Sequence, residues 1–293
     1  MLRALGYGER QGAWRHPERT AVFVGDFIDR GPAQLRTLRI VRDMVEAGSA
    51  RAILGNHELN AMAWATPRPH SGGHLRARDG AKGAKNRAQH AAFLAEVGED
   101  SPLHREWIAW FSRLPLWIET PSWRVVHACW HPALAGSIRP RLTGDGLLTA
   151  DLLADAHNPG RPEFRAVDTL LKGPEAALPA GVAFTDKDGH RREAIRLRWW
   201  RPDARTYRDA YIGPSGVEIP DHPLPGHVAL PPVDRPTFIG HYWFDPDQTP
   251  APAAPKVACV DYSVARSGRL VAYRFDGEPE LSADRFVAGG ARA

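Results

Sequence analysis

The sequence predicts an α/β fold assembled from a parallel strand-helix-strand unit. Three observations carry this. Residues 20–24 form a short apolar run that stops at Gly25-Asp26; residues 33–47 place apolar side chains at helical spacing; and residues 51–54 form a second short run that stops at Gly55-Asn56-His57-Glu58. Within the helix Leu35, Leu38, Val41, Met44 and Val45 recur along one face, and Gly48 follows as a stop signal. Residues 59–65 can begin another helix. Farther along, residues 123–126 read as a strand ending at His127, and residues 237–239 as one ending at Gly240-His241. Residues 257–260 and 270–274 read as late strands that would pair around Asp261 and Gly268. In open sheets of this kind ligands sit outside the carboxyl ends of the strands, so the polar residues that close each strand are expected to face one site.

A chain of 293 residues with 43% hydrophobic residues can bury a full core, and it is read as a single domain over 1–293. Two stretches fit that core less well. Residues 66–90, rich in Gly, Arg, Lys and His, read as an exposed basic loop insertion, with a lid that touches phosphate as the sharper alternative. Residues 213–236 read as a Pro-rich surface segment without regular structure. No run of eighteen apolar residues is present, which argues against a membrane partner. The opening residues lack an apolar signal core, and Cys129 and Cys259 read as buried thiols, so a cytoplasmic location is expected. The net charge of +4 would suit an anionic substrate without requiring nucleic acid.

Gly25-Asp26-Phe27-Ile28-Asp29-Arg30-Gly31, followed by Gly55-Asn56-His57-Glu58, resembles the paired signatures of calcineurin-like metallophosphoesterases. The similarity is to the branch that contains Ser/Thr protein phosphatases and symmetrical diadenosine tetraphosphate hydrolases. It extends to Val126-His127-Ala128, to Gly240-His241 and to the region of Asp261. The resemblance implies a metallophosphoesterase-type β-sandwich flanked by helices in four layers, α/β/β/α. It also implies a hydrolase of phosphate esters or anhydrides that uses two divalent ions, Mn, Fe or Zn. A carboxylate can donate one oxygen to each of two ions, which suits Asp26; by resemblance Asn56, His127 and His241 complete the second metal site. His57 would protonate the leaving oxygen, Asp29 would hold that imidazole and favour its charged form, and Arg30 would clamp the substrate phosphate. The expected nucleophile is a metal-bound hydroxide.

The first motif of that family, a strand followed by Asp-x-His-Gly, is absent upstream of Gly25. Met1-Leu2-Arg3-Ala4-Leu5 looks like the latter half of the helix that follows it, so the first strand and two ligands are expected to be missing by truncation. A second phosphate-binding arginine is expected, with Arg198, Arg201 and Arg235 as candidates. Glu58 could serve the helix dipole as well as the site. His131 is read as a loop histidine because Pro132 follows it. Lys172-Gly173 is read as a helix-ending turn, and Trp199, Trp200 and Trp243 as packing residues, with Trp243 the one nearest a ligand motif. A phosphoprotein and a nucleotide substrate, the latter a dinucleoside polyphosphate, compete as partners. A phosphate-binding module without turnover is the reading from another class.

Overall fold

The apolar run at residues 20–24 folds as the strand Ala21–Phe23, parallel to Ala50–Ala52, with helix Gln34–Glu46 between them. The computed structural model describes residues 1–69, 72–185, 191–213, 217–226, 230–266 and 268–289. Leu38, Val41 and Met44 of that helix are buried, as the spacing requires, and Gly48 adopts φ 69°, a left-handed conformation open to glycine at little cost. A short apolar run before a loop is the pattern of a buried parallel strand, yet its three residues are only half-buried, because among the described residues it has a single hydrogen-bonded neighbour.

A four-stranded sheet supplies the central layer, in the order Val257–Cys259, Thr237–Ile239, Arg124–Val126, Trp117–Glu119. The first three run parallel and the last antiparallel. Alternate residues face opposite sides. Val126, Ile239, Val257 and Cys259 join the large core against the helices, whereas Val125, Phe238 and Ala258 pack with Tyr273 and Phe286 of a second sheet and with Phe275 just beyond it. That second sheet is antiparallel, in the order Asp261–Tyr262, Arg269–Tyr273, Phe286–Gly289. Helix, sheet and sheet are thus successive layers, a mixed α/β arrangement consistent with the expected sandwich. The two late strands do not pair with each other as expected. Val257–Cys259 is taken by its parallel neighbour, and the chain crosses at Asp261 into the other sheet.

Residues 66–90 need correction. Gly80–Val97 is an eighteen-residue helix that buries Gly83, Asn86, His90, Phe93 and Leu94. The buried stripe is built from small and polar residues at three- and four-residue spacing, so composition resembled a loop while alanines at 81, 84, 88, 91 and 92 favoured helix. Residues 70 and 71 lie outside the described residues. In the Pro-rich segment no helix or strand occurs among the described residues, although Ile219 is buried; residues 214–216 and 227–229 lie outside them. A smaller core sits beside the main one, formed by the sheet of Glu175–Ala177, Ala194–Leu197 and Tyr211–Ile212 with Tyr207–Ala210, around Ile195, Leu197 and Tyr207. Among the described residues no helix is long and apolar enough to cross a membrane.

Candidate metal centre and proton-donor pair

The ends of four strands converge as the sheet rule demands. Gly240 donates its backbone N–H to the carbonyl of His127 at 2.8 Å, and the His127 ring bonds the carbonyl of Val24 at 2.6 Å. The loops after Phe23 and Ala52 touch backbone to backbone. A Cβ on Gly25 would lie 2.5 Å from the Gly55 nitrogen, and one on Gly55 would lie 2.4 Å from the Asp26 carboxylate, so neither position admits a side chain. Glu58 ties these loops together, accepting N–H bonds from Gly55 at 3.0 Å, Asp26 at 2.8 Å and Phe27 at 2.7 Å. Its role is therefore more specific than complementing the helix dipole. Burial, with the Asp26 charge beside it, pushes the Glu58 carboxyl up to about 7.

Asp26, Asn56, His127 and His241 come together as the motifs predict. The ligand-capable atoms of Asp26, His127 and His241 all lie within 4.8 Å of one another. His127 Nε2 is 3.2 Å from Asn56 Oδ1 and 3.2 Å from Asp26 Oδ2. Burial lowers the His127 pKa, but the facing Asp26 carboxylate outweighs it and the net shift is upward; with Nδ1 donating to the Val24 carbonyl, Nε2 is the nitrogen that would give up its proton to ligate a cation. Both nitrogens of His241 are buried without a partner. Burial, followed by the Arg196 charge, drives His241 well below its usual range, so its ring is neutral and able to donate a lone pair. Burial would raise the Asp26 carboxyl, but the His127 and His57 rings facing it hold it well down. A carboxylate, an amide oxygen and two imidazoles, one with orphaned nitrogens, fit a divalent cation. Asp26 and His241 adopt φ 60° and 68°, strain of the kind found where a scaffold over-determines a site.

Beside this cluster lies a second arrangement. His57 Nδ1 bonds Asp29 Oδ2 at 2.8 Å, and His57 Nε2 stands 4.0 Å from Asp26 Oδ2. Burial lowers the His57 pKa, but Asp26 and Asp29 outweigh it and hold the ring up at about 9. Gln34, buried behind the loop, accepts the Asp29 N–H at 2.7 Å and donates to the carbonyls of Arg30 and Gly31. The exposed Arg30 places its guanidinium 5.4 Å from the Trp243 ring, a cation–π contact that gives Trp243 a role beyond packing. Trp243 is in turn fixed through its backbone N–H to Asp261 at 3.1 Å.

Sequence reasoning missed two residues here. His90, from the helix read as a loop, bonds the other oxygen of Asp29 at 2.5 Å; the 83, 86, 90 spacing of that helix was the signal. Arg196 is the arginine whose charge reaches His241, and alternation of buried Ile195 and Leu197 around it marks a side chain turned out of the small core. The named candidates behave otherwise: Arg201 pairs with Asp203 at 3.0 Å and Arg235 with Asp234 at 2.8 Å, while the Arg198 charge acts near Tyr211. Gly173 ends its helix as expected. His131 caps a helix, Pro132–Ile138, that the sequence reading did not foresee, since proline is well suited to a first helical position. Trp199 and Trp200 are buried packing residues.

A family model for calcineurin-like phosphoesterases matches residues 5–170. The chain is 35% identical to the symmetrical bis(5'-nucleosyl)-tetraphosphatase of Aromatoleum aromaticum over 228 residues, 75% of this chain and 71% of that protein. It is 25% identical to the corresponding protein of Vibrio cholerae over 241 residues, 76% of this chain and 73% of the other. A shorter match, 41% over 58 residues, covers 20% of this chain and 24% of the asymmetrical bis(5'-nucleosyl)-tetraphosphatase PrpE of Halalkalibacterium halodurans. With more than half of its length matched, the chain belongs to the calcineurin-like phosphoesterase family and is a hydrolase of phosphate esters or anhydrides.

Proposed function

We propose that this chain hydrolyses dinucleoside polyphosphates, with a divalent cation held by Asp26, Asn56, His127 and His241. The observation that carries the chemistry is the pair of orphaned His241 nitrogens facing the Asp26 carboxylate, directly beside a histidine kept protonated. A divalent ion bound there lowers the pKa of water and neutralises phosphoryl charge. The residues of the chain do the remaining work. His57 carries a proton on Nε2 for the departing phosphate oxygen, and Asp29 fixes its ring through Nδ1. Arg30, steadied by Trp243, offers a planar fork to two non-bridging oxygens.

The names of the relatives favour a dinucleotide over a phosphoprotein, because matches covering about three quarters of the chain are to symmetrical tetraphosphatases. Mixed oxygen and nitrogen donors suit Mn, Fe or Zn alike, and Asp26 is the group able to bridge two ions. Free, buried Cys129 and Cys259 support a reducing compartment such as the cytoplasm. The test is product analysis. With manganese present, a dinucleoside tetraphosphate should yield two nucleoside diphosphates. Release of phosphate from phosphopeptides, with the dinucleotide left intact, would overturn the substrate assignment.

A further inference from the structure

A cleft outside the cluster just described is lined by cationic side chains without an ion pair among the described residues. Its volume is about 490 Å³, in the range of small-molecule sites. One wall comes from the loop after residue 66 and the helix Gly80–Val97, and the other from the helices Ala150–Asp155 and Pro162–Lys172. Two of its residues lead toward the candidate centre. Asn60 in its lining is one helical turn beyond Asn56, and Arg76, whose charge burial disfavours, is supported by the carboxylate of Asp29.

Three cations on the first wall have no carboxylate at ion-pair distance among the described residues, and only Arg76 feels one, Asp29, from farther off. Arg68 donates to the carbonyls of His74 at 2.8 Å and Leu75 at 3.3 Å, and Arg76 donates to the Gln89 amide oxygen at 2.7 Å. Lys82 stands exposed at the start of its helix. The acidic groups of the lining are already engaged: Asp155 pairs with Arg141 at 2.7 Å and Asp168 with Lys172 at 2.5 Å. Across the cleft Pro159 and Phe164 offer an apolar patch among the polar His157, Asn158 and Lys172. Guanidinium and ammonium groups without an ion pair, opposite an apolar patch, match an anionic ligand that also carries a flat, uncharged part.

We infer that this cleft is a second binding site, for a nucleoside phosphate, with the cationic wall taking the phosphate chain, the Pro159 and Phe164 patch the base, and the polar groups beside it the sugar. The inference rests on the dinucleoside polyphosphate reading and places there the half of the substrate remote from the reacting phosphorus. The experiment compares KM for a dinucleoside tetraphosphate with KM for p-nitrophenyl phosphate, which has no second nucleotide. In Lys82→Glu, and in the milder Arg76→Ala, the ratio of the two KM values should rise about tenfold or more, the change falling on KM rather than kcat. Lys82 is exposed, so the first substitution leaves the core intact. An unchanged ratio in a protein that cleaves both substrates would overturn the site while leaving the proposed function standing. A wild-type protein that cleaves p-nitrophenyl phosphate but not the dinucleotide would remove the proposed function and the inference with it.

Discussion

The two halves of the candidate site are built on opposite plans. Around Asp26, His127 and His241 the chain leaves buried nitrogens without partners, whereas around Asp29 it engages both carboxylate oxygens, one with His57 and one with His90. The exception on the second side is His90 Nε2, which is also buried and unpartnered. A buried polar atom without a partner costs about 1–3 kcal/mol, so the first half gains its stability only when something else occupies it. The second half is finished by protein atoms and is set in place before any substrate arrives, the condition under which a proton donor needs no reorganisation. One side offers unpaired ring nitrogens, and the other is closed largely by protein atoms.

The sharpest test of that contrast is the first half. Manganese at a hundredfold excess over its dissociation constant should stabilise the wild-type protein by about 2.7 kcal/mol, read as a rise in Tm. His127→Ala and His241→Ala should each lose most of that rise and lower turnover by about a thousandfold, the several kcal/mol of charge stabilisation that a cation supplies. Variants that kept the full rise would mean that the cation sits elsewhere.

His57→Ala should separate the halves. The manganese-induced rise in Tm should survive, while kcat falls by about 10²–10⁴, the range for a positioned proton donor. If metal stabilisation vanished together with turnover, the two arrangements would be one unit and the comparison would fail.

The second half also predicts a pH dependence in metal-free protein. The His57 pKa rises from 6.5 to about 9 on folding, so its contribution is fully present below 6.5 and is lost as pH climbs through 9. On the order of 3 kcal/mol is involved. Denaturant unfolding in EDTA should therefore show the stability gap between wild type and His57→Gln narrowing from pH 6.5 to 9.5. A gap that stayed flat across that window would mean that His57 is not held charged by Asp26 and Asp29.

What was legible in the sequence divides along the same line. Asp26, Asn56, His127 and His241 could be read because each follows a short apolar strand, and two glycines, Gly25 and Gly55, mark loops that meet at backbone contact. His57 and Asp29 were legible from the same motifs. His90 and Arg196 were not, since neither belongs to a strand-end motif and each reaches the site from an element with a weak local signal. Gly80–Val97 hides its buried stripe in Gly83, Asn86 and His90, where an apolar pattern would normally reveal a helix. Ala194–Leu197 is four residues long, too short for alternation to be decisive. The pairing of the late strands was misread for a different reason: local pattern identifies a strand but not its partner.

The smallest effect should come from His90, which touches Asp29 but not the cation cluster. His90 also packs against Trp64 and Phe93, with ring centroids 6.1 Å and 5.1 Å away, so removing its ring lowers stability whatever it does for Asp29. Two substitutions separate those roles. His90→Ala removes both ring and donor; His90→Asn also removes the ring but places an amide N–H where Nδ1 stood, two bonds beyond Cβ. Partners that orient a working side chain typically matter by about tenfold to a hundredfold. We expect kcat to fall about tenfold in His90→Ala and to recover most of the way in His90→Asn, with Tm lowered in both. If kcat tracked Tm and the asparagine gave no recovery, His90 would be a packing residue, and the Asp29 side would owe its arrangement to Gln34 and His57 alone.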